Sequence, residues 1–99
     1  MTYGHVGSMR CRPGQRQAVL ELLSAGAPAL RGLGCRVYLP GAAEDDEDGI
    51  VVLEVWESKE HHAASLTDPR VRAGIAAAMP LLTGEFGSRS LRIEGGLGG

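Results

Sequence analysis

Three histidines are the side chains of this chain best suited to acid–base chemistry near neutral pH. His61 and His62 are adjacent in the segment that follows Trp56, and His5 lies near the N-terminus. A neutral imidazole can accept a proton near pH 7. We therefore take His61 and His62 as candidate catalytic bases. For either of them, a partly exposed histidine on a helix surface is the alternative interpretation.

Four side chains could contact a small ligand. Trp56 ends the most apolar segment, where its ring can line a pocket or anchor a core or an interface. Tyr38 and Arg92 could offer a phenol and a cation, and His5 could enter the same pocket, although each could also simply occupy a strand surface. The predicted substrate-binding residues are therefore Trp56, Tyr38, Arg92 and His5.

The sequence contains no recognisable metal or nucleotide motif. Neighbouring residues on a helix diverge by about 100°, so His61 and His62 cannot easily chelate one ion. Cys-x-x-Cys, His-Glu-x-x-His and phosphate-loop patterns are absent. Five consecutive acidic residues, 44–48, lack the alternating ligand spacing of a calcium loop and are interpreted as a solvated hairpin tip. We expect no metal and no cofactor.

Length and composition restrict the remaining possibilities. The 99 residues suit one domain, with 43% hydrophobic and 22% charged residues as in folded soluble proteins. We assign residues 1–95 to this domain and 96–99 to a flexible glycine-rich tail. A net charge of −2 gives no basic excess for nucleic acid or a membrane surface. No stretch resembles a signal peptide or a membrane span, so the cytoplasm is the expected location.

The first half of the chain alternates between strand and helix patterns. Residues 2–11 alternate as a strand does. From residue 14 the apolar spacing becomes helical, which predicts a helix over 14–31 with a defect near Pro28. Residues 35–40 predict the second strand.

The second half repeats this order. Residues 50–57 predict the strongest strand, and Ser58 is placed to cap a helix over 59–67. Asp68 followed by Pro69 restarts the helix, which Pro80 and Gly84 close. Residues 86–94 predict the last strand.

The order β-α-β-β-α-β predicts an α+β, ferredoxin-like fold with a four-stranded antiparallel sheet. Both helical segments should cover one face of the sheet, and the bare opposite face suggests a second subunit. Cys11 and Cys35 should lie at opposite ends of the sheet, beyond disulfide reach, as two free thiols.

The segment Val52-Leu53-Glu54-Val55-Trp56-Glu57-Ser58-Lys59-Glu60 resembles the antibiotic biosynthesis monooxygenase family. The later Asp68-Pro69-Arg70-Val71 resembles the second-helix segment of that family. The resemblance covers essentially the whole chain, from the opening strand and the helix after Pro-Gly to the strand that ends in tryptophan.

This resemblance implies a dimeric α+β barrel, in which the sheets of a homodimer pack face to face. It also implies a pocket between sheet and helices in each subunit. The enzymes of the family use no metal, flavin or haem as cofactor. They deprotonate a phenol or an anthrone, and the carbanion reacts directly with molecular oxygen. The expected function is therefore cofactor-independent oxidation of a small aromatic, quinol or polyketide anthrone.

The sequence departs from the family pattern at one position and keeps several alternatives open. Family members often carry a histidine nine residues after the tryptophan, where this chain has Ser65; His61, one turn earlier, could substitute for it. The haem-degrading relatives use an asparagine, and this chain contains none. A non-catalytic ligand-binding or pathway-accessory dimer is the main alternative, and a haem-binding relative or an isomerase or cyclase are further ones.

Overall fold

The fold is seen in a computed structural model that describes residues 2–98. Four strands and three helices follow one another in this part of the chain, with a short 3₁₀ turn at Met79–Leu81 before the last strand. In chain order they are β1 (Tyr3–Cys11), α1 (Arg16–Arg31), β2 (Cys35–Ala42), β3 (Gly49–Trp56), α2 (Lys59–Ser65), α3 (Pro69–Ala78) and β4 (Leu82–Arg92).

The strands form one antiparallel sheet in the order β2-β3-β1-β4. The two central strands, β1 and β3, are therefore far apart in the sequence but adjacent in the sheet. They pair from Tyr3 opposite Trp56 to Arg10 opposite Gly49. This arrangement confirms the predicted ferredoxin-like fold and its four-stranded antiparallel sheet. Because side chains alternate along a strand, the register decides which residues share a face.

The ends of the helices follow from local chemistry. The Ser58 side chain accepts a hydrogen bond from the His61 backbone N–H, and the Asp68 side chain accepts one from the Arg70 N–H. These caps satisfy backbone donors that the first turn of a helix leaves unpaired. Helix α1 continues through Pro28 to Arg31, so the proline does not end it.

The last strand begins four residues earlier than the pattern predicts, at Leu82 instead of residue 86. Leu82 is buried and pairs with Cys11, whereas Met9 pairs with Phe86. An advance of two residues along β1 is therefore matched by four residues along β4, and the two extra residues of β4 form a bulge. Gly84 lies in this bulge with φ of 95°, a conformation that glycine adopts without steric cost. The bulge interrupts the alternation by which a strand is predicted.

The core lies between the helices and one face of the sheet, in two clusters. One is built on Cys11, Val19, Ile50, Val52, Ala78 and Leu82, and the other on Leu30, Cys35 and Trp56. Both cysteines are buried and free, as predicted. No helix in residues 2–98 has the length and apolar character needed to cross a bilayer.

The opposite face of the sheet carries apolar side chains that no helix covers. Leu39, Val51, Leu53 and Leu91 lie there, and they are between 36% and 58% exposed. Leu39 is directly opposite Leu53 across the β2–β3 pair. An exposed apolar surface of this kind is typical of a protein–protein contact.

Candidate functional site

Two histidines and a glutamate meet on the helix-covered face of the sheet. His5 in β1 lies directly opposite Glu54 in β3, so their side chains share that face. The first turns of α2 bring His62 to the same place. One ligand-type atom of each of the three side chains lies within 4.8 Å of the others. We call His5, Glu54 and His62 the histidine–glutamate cluster.

Glu54 occupies the centre of the histidine–glutamate cluster. Its Oε2 lies 3.4 Å from His5 Nδ1, and its Oε1 lies 3.9 Å from His62 Nε2. The indole Nε1 of Trp56 donates a hydrogen bond of 2.8 Å to Oε1. His5 Nδ1 is buried and has no hydrogen-bond partner among residues 2–98. The tryptophan therefore fixes the carboxylate, and the histidines approach it without being firmly bonded.

Aromatic rings enclose the imidazole of His62. Its ring centroid lies 5.5 Å from that of Tyr3, 4.7 Å from that of His5 and 5.3 Å from that of Trp56, which meets it edge-on. Trp56 itself is 1% exposed and pairs with Tyr3 across the strands. Tryptophan therefore anchors the core and also forms one wall around His62, so the two interpretations of Trp56 are compatible.

Burial changes the acid–base properties of two groups on this face. It lowers the pKa of His62, and the neighbouring His5 acts in the same direction, while the charge of Glu54 opposes both. Burial also raises the pKa of Tyr38 to about 12, with Glu54 and Cys35 adding to the effect. At neutral pH the Tyr38 phenol therefore keeps its proton and can donate a hydrogen bond.

An apolar cavity of about 340 Å³ lies between α1, α3 and the sheet. Small residues on the facing helices leave the space, since a Cβ added at Gly26 or Gly74 would meet nothing within 4 Å. Tyr38 and Arg70 supply the polar groups of the wall. The remaining lining is Met9, Leu22, Leu23, Gly26, Ala29, Leu30, Val71, Gly74, Ile75, Ala78, Met79, Leu82 and Phe86.

The cavity and the histidine–glutamate cluster are connected along the sheet. A shallower recess beside the cavity is lined by His5 and Glu54, and it shares Tyr38, Met9 and Phe86 with the cavity wall. The Tyr38 phenol therefore belongs to both regions. A ligand in the apolar cavity could thus present one edge towards the ionisable groups.

Of the six residues singled out in the sequence, the structure brings four together. Trp56, His62 and His5 surround or form the cluster, and Tyr38 joins it to the cavity. His61 lies outside, with its Nδ1 2.6 Å from Ser58 Oγ and a half-exposed side chain. Arg92 is also outside, exposed at the end of β4 and 3.2 Å from Glu94.

Two members of the site were missed in the sequence. Glu54 lies two residues before Trp56, and this strand spacing already places both on one face. Nothing in the sequence relates Glu54 to His5, because their pairing depends on strand order. Tyr3 was missed for the same reason. Ser65, at the position of the family's usual histidine, is buried and donates its hydroxyl proton to the His62 carbonyl.

Comparison with known proteins assigns the chain to a family. The profile of the antibiotic biosynthesis monooxygenase family matches residues 2–77. "Probable quinol monooxygenase YgiN" of Escherichia coli (strain K12) is 37% identical over 79 residues, which cover 69% of this chain and 76% of that protein.

Solved structures agree with this assignment. A protein from Chloroflexus aurantiacus J-10-fl named for the same family is 37% identical, with a TM-score of 0.80 over 99% of this chain and 100% of that one. Rv0793 from Mycobacterium tuberculosis, at 22% identity, shares the fold with a TM-score of 0.83 over 99% of this chain and 100% of that one. On these grounds the chain belongs to the antibiotic biosynthesis monooxygenase family.

Proposed function

We propose that this protein is a cofactor-independent monooxygenase that oxidises a small aromatic, a quinol or a polyketide anthrone, with molecular oxygen. The observation that carries the proposal is the apolar cavity of about 340 Å³, which shares Tyr38 with the recess lined by His5 and Glu54 of the histidine–glutamate cluster. A planar aromatic fits apolar walls, and its acidic edge requires a proton acceptor and a donor for the anion. Family membership supports the same reaction class.

His62 is the proton acceptor in this proposal. Its imidazole is largely enclosed by rings, and Glu54 lies close enough to stabilise the imidazolium that forms. The Trp56 N–H holds Glu54 in place for that role. His61, the other candidate base, is half-exposed and bonded to the Ser58 cap. The proton therefore goes to the less exposed member of the histidine pair.

The Tyr38 phenol stabilises the anion. The phenol is protonated at neutral pH, so it donates a hydrogen bond to the phenolate or enolate oxygen of the substrate. The carbanion then adds oxygen to give a peroxide, which takes the proton back from His62. Loss of water leaves a carbonyl. For an anthrone methylene, one oxygen atom enters the substrate and the other leaves as water with the two hydrogens.

The active form in this proposal is a homodimer joined through the open face of the sheet. The exposed leucines and valine of that face support it, because burying them removes apolar area from water. Leu53→Glu, at the centre of that face, should give a monomer in analytical ultracentrifugation. Leu66→Glu, equally exposed but at the end of α2, is the matched control and should keep the wild-type mass.

A second candidate function is a non-catalytic ligand-binding module of the same fold. The observation in its favour is the cavity lining, which includes neither His5 nor His62. Such a module would bind an aromatic in the cavity without consuming oxygen.

Oxygen uptake by metal-stripped protein, with a panel of anthrones and hydroquinones and product mass in parallel, distinguishes the two. Uptake above the spontaneous rate, with oxygen added to the product, is expected for the monooxygenase. His62→Gln should lower turnover by about 10²–10⁴-fold, the usual contribution of a general base, whereas His61→Gln should keep most of it. Tight binding of the panel with no uptake would establish the binding module instead, and equal losses in both variants would remove the assignment of His62.

A further inference from the structure

Glu54 is a largely buried carboxylate without a permanently charged partner. Its side chain is 13% exposed, and among residues 2–98 it forms no ion pair with lysine or arginine. Its described contacts are the Trp56 N–H and the two imidazoles. A buried carboxylate is costly unless a positive charge compensates it. The histidine–glutamate cluster therefore presents a negative charge and nitrogen donors around one point.

The separations within the cluster suit a small metal ion. Ligand atoms about 2.1 Å from a tetrahedral ion lie about 3.4 Å from one another. His5 Nδ1 and Glu54 Oε2 are 3.4 Å apart. His62 Nε2 and Glu54 Oε1 are 3.9 Å apart, and all three ligand atoms lie within 4.8 Å. Small rotations of the side chains would bring the three to coordination distance.

A second observation also points to a ligand at this position. His5 Nδ1 is buried and has no hydrogen-bond partner among residues 2–98. A buried polar atom without a partner is unfavourable, and a coordinated ion would satisfy it. The Trp56 N–H already orients Glu54, as the outer hydrogen bonds of metal sites orient their ligands. The orientation of Glu54 is therefore fixed before an ion binds.

We infer that His5, Glu54 and His62 form a binding site for a first-row divalent transition-metal ion, with zinc as the reference ion. Two imidazoles and one carboxylate are a donor set that such ions prefer. Three protein ligands leave at least one coordination position open for water or another ligand. Spacing along the sequence gives no sign of this site, because its ligands come from two strands and a helix.

The inference goes beyond the proposed function, because the ion uses the nitrogen lone pair with which His62 would accept a proton. Zinc and the proton therefore compete for His62. Binding itself is measured without turnover, so its outcome does not depend on whether the protein is an oxygenase.

Equilibrium dialysis of the full chain against zinc, with metal analysis, tests the inference, and cobalt gives a visible spectrum of the same site. We expect one ion per chain. Glu54→Gln keeps the size of the side chain but loses its charge, and His5→Gln and His62→Gln each remove a nitrogen donor. Each should weaken zinc binding more than tenfold. His61→Gln is the matched control, since it removes an adjacent imidazole outside the cluster, and it should bind zinc as the wild type does.

Thermal unfolding with and without zinc provides a second measurement of binding in case one variant is unstable. Zinc should raise the unfolding temperature of the wild type and of His61→Gln but not that of Glu54→Gln, because only a folded cluster binds the ion. Absence of binding by the wild type at micromolar zinc would overturn the inference. Binding that survives in Glu54→Gln and His62→Gln would place the ion elsewhere and overturn it equally. Loss of zinc binding in the double variant Glu44→Gln/Asp45→Asn would place the ion at the acidic hairpin and would also overturn the inference.

Discussion

Two regions of the same sheet face differ in how they are built. The cavity between α1 and α3 is lined by apolar side chains and exists because small residues face each other there. The histidine–glutamate cluster, further along the sheet, is held by one indole hydrogen bond and by the close packing of its two tilted imidazole rings. The cavity has room for a ligand but few polar groups to orient it, and the cluster has oriented polar groups but no room for a ligand. A reaction on an aromatic needs both, and Tyr38 belongs to both.

The largest effect is expected from truncating the tryptophan that anchors the cluster. Trp56→Ala should lower the free energy of unfolding by about 3–5 kcal/mol, because a fully buried ring is replaced by a cavity. Urea unfolding followed by far-UV circular dichroism measures it. Trp56→Phe keeps an aromatic ring but loses part of the buried volume and the bond to Glu54, so its cost should be smaller, about 1–3 kcal/mol. Equal losses would show that the hydrogen bond, not packing, dominates at this end of the sheet.

A pH effect should follow from the tyrosine that joins the two regions. The folded-state pKa of Tyr38 is raised to about 12 from an ordinary value of 10.0. The folded protein therefore holds this proton more tightly, and the stabilisation is complete below pH 10 and lost as pH rises through 10 to 12. At about 1.4 kcal/mol per pKa unit, the upper bound on this loss is about 2.7 kcal/mol, and the partial exposure of Tyr38 to solvent lowers it.

The comparison with Tyr38→Phe isolates this contribution from the other groups that titrate in alkali. The free energy of unfolding of the wild type should fall relative to that of Tyr38→Phe between neutral pH and pH 11–12. Parallel curves for the two proteins would mean that the Tyr38 phenol is not protected by burial.

A smaller loss of stability is expected from a substitution that acts on the cluster and leaves the cavity unchanged. Ser58→Ala removes the side-chain cap of α2, the helix that carries His62, and should cost about 1 kcal/mol. Amide hydrogen exchange should accelerate in α2 and stay unchanged in α1 and α3, which form the cavity. Ser58→Thr retains a capping oxygen and serves as the control. Faster exchange in all three helices would show that the two regions are not separate.

The smallest change in stability is expected from substitutions that act on the cavity and leave the cluster unchanged. Gly74 lies in α3, and an added Cβ would meet nothing within 4 Å. Gly74→Ala should stabilise the protein by about 0.5–1 kcal/mol, since glycine inside a helix costs that much relative to alanine. Gly26→Ala on the facing helix should act similarly. A lowered unfolding temperature in either variant would indicate that α1 and α3 pack more closely than they do here.

The strand and helix order could be predicted because periodicity and capping residues are local signals. Ser58 and Asp68 begin the helices where expected, and α1 passes through Pro28 and ends at Arg31, the predicted end. The start of β4 could not be predicted, because the bulge at Gly84 is produced by pairing with β1. Alternation along a single strand contains no information about its partner.

The site was predictable only in part. Trp56, His62, His5 and Tyr38 were identified by residue type, and the resemblance to the family directed attention to the strand that ends in Trp56. Choosing between His61 and His62 required the orientation of α2, since adjacent helical residues point about 100° apart. Glu54 was missed because a single acidic residue in a strand gives no functional signal.

The sequence by itself determined the family, the order of the elements and the residue types available for chemistry, because these depend on local pattern and composition. The tertiary structure alone decided that His5 lies opposite Glu54, that His62 and not His61 joins them, and that Gly26 and Gly74 leave a cavity between their helices. The physical reason is the same in each case. Strand register and helix packing bring together side chains that are distant in the chain, and the resulting burial and charge set their properties.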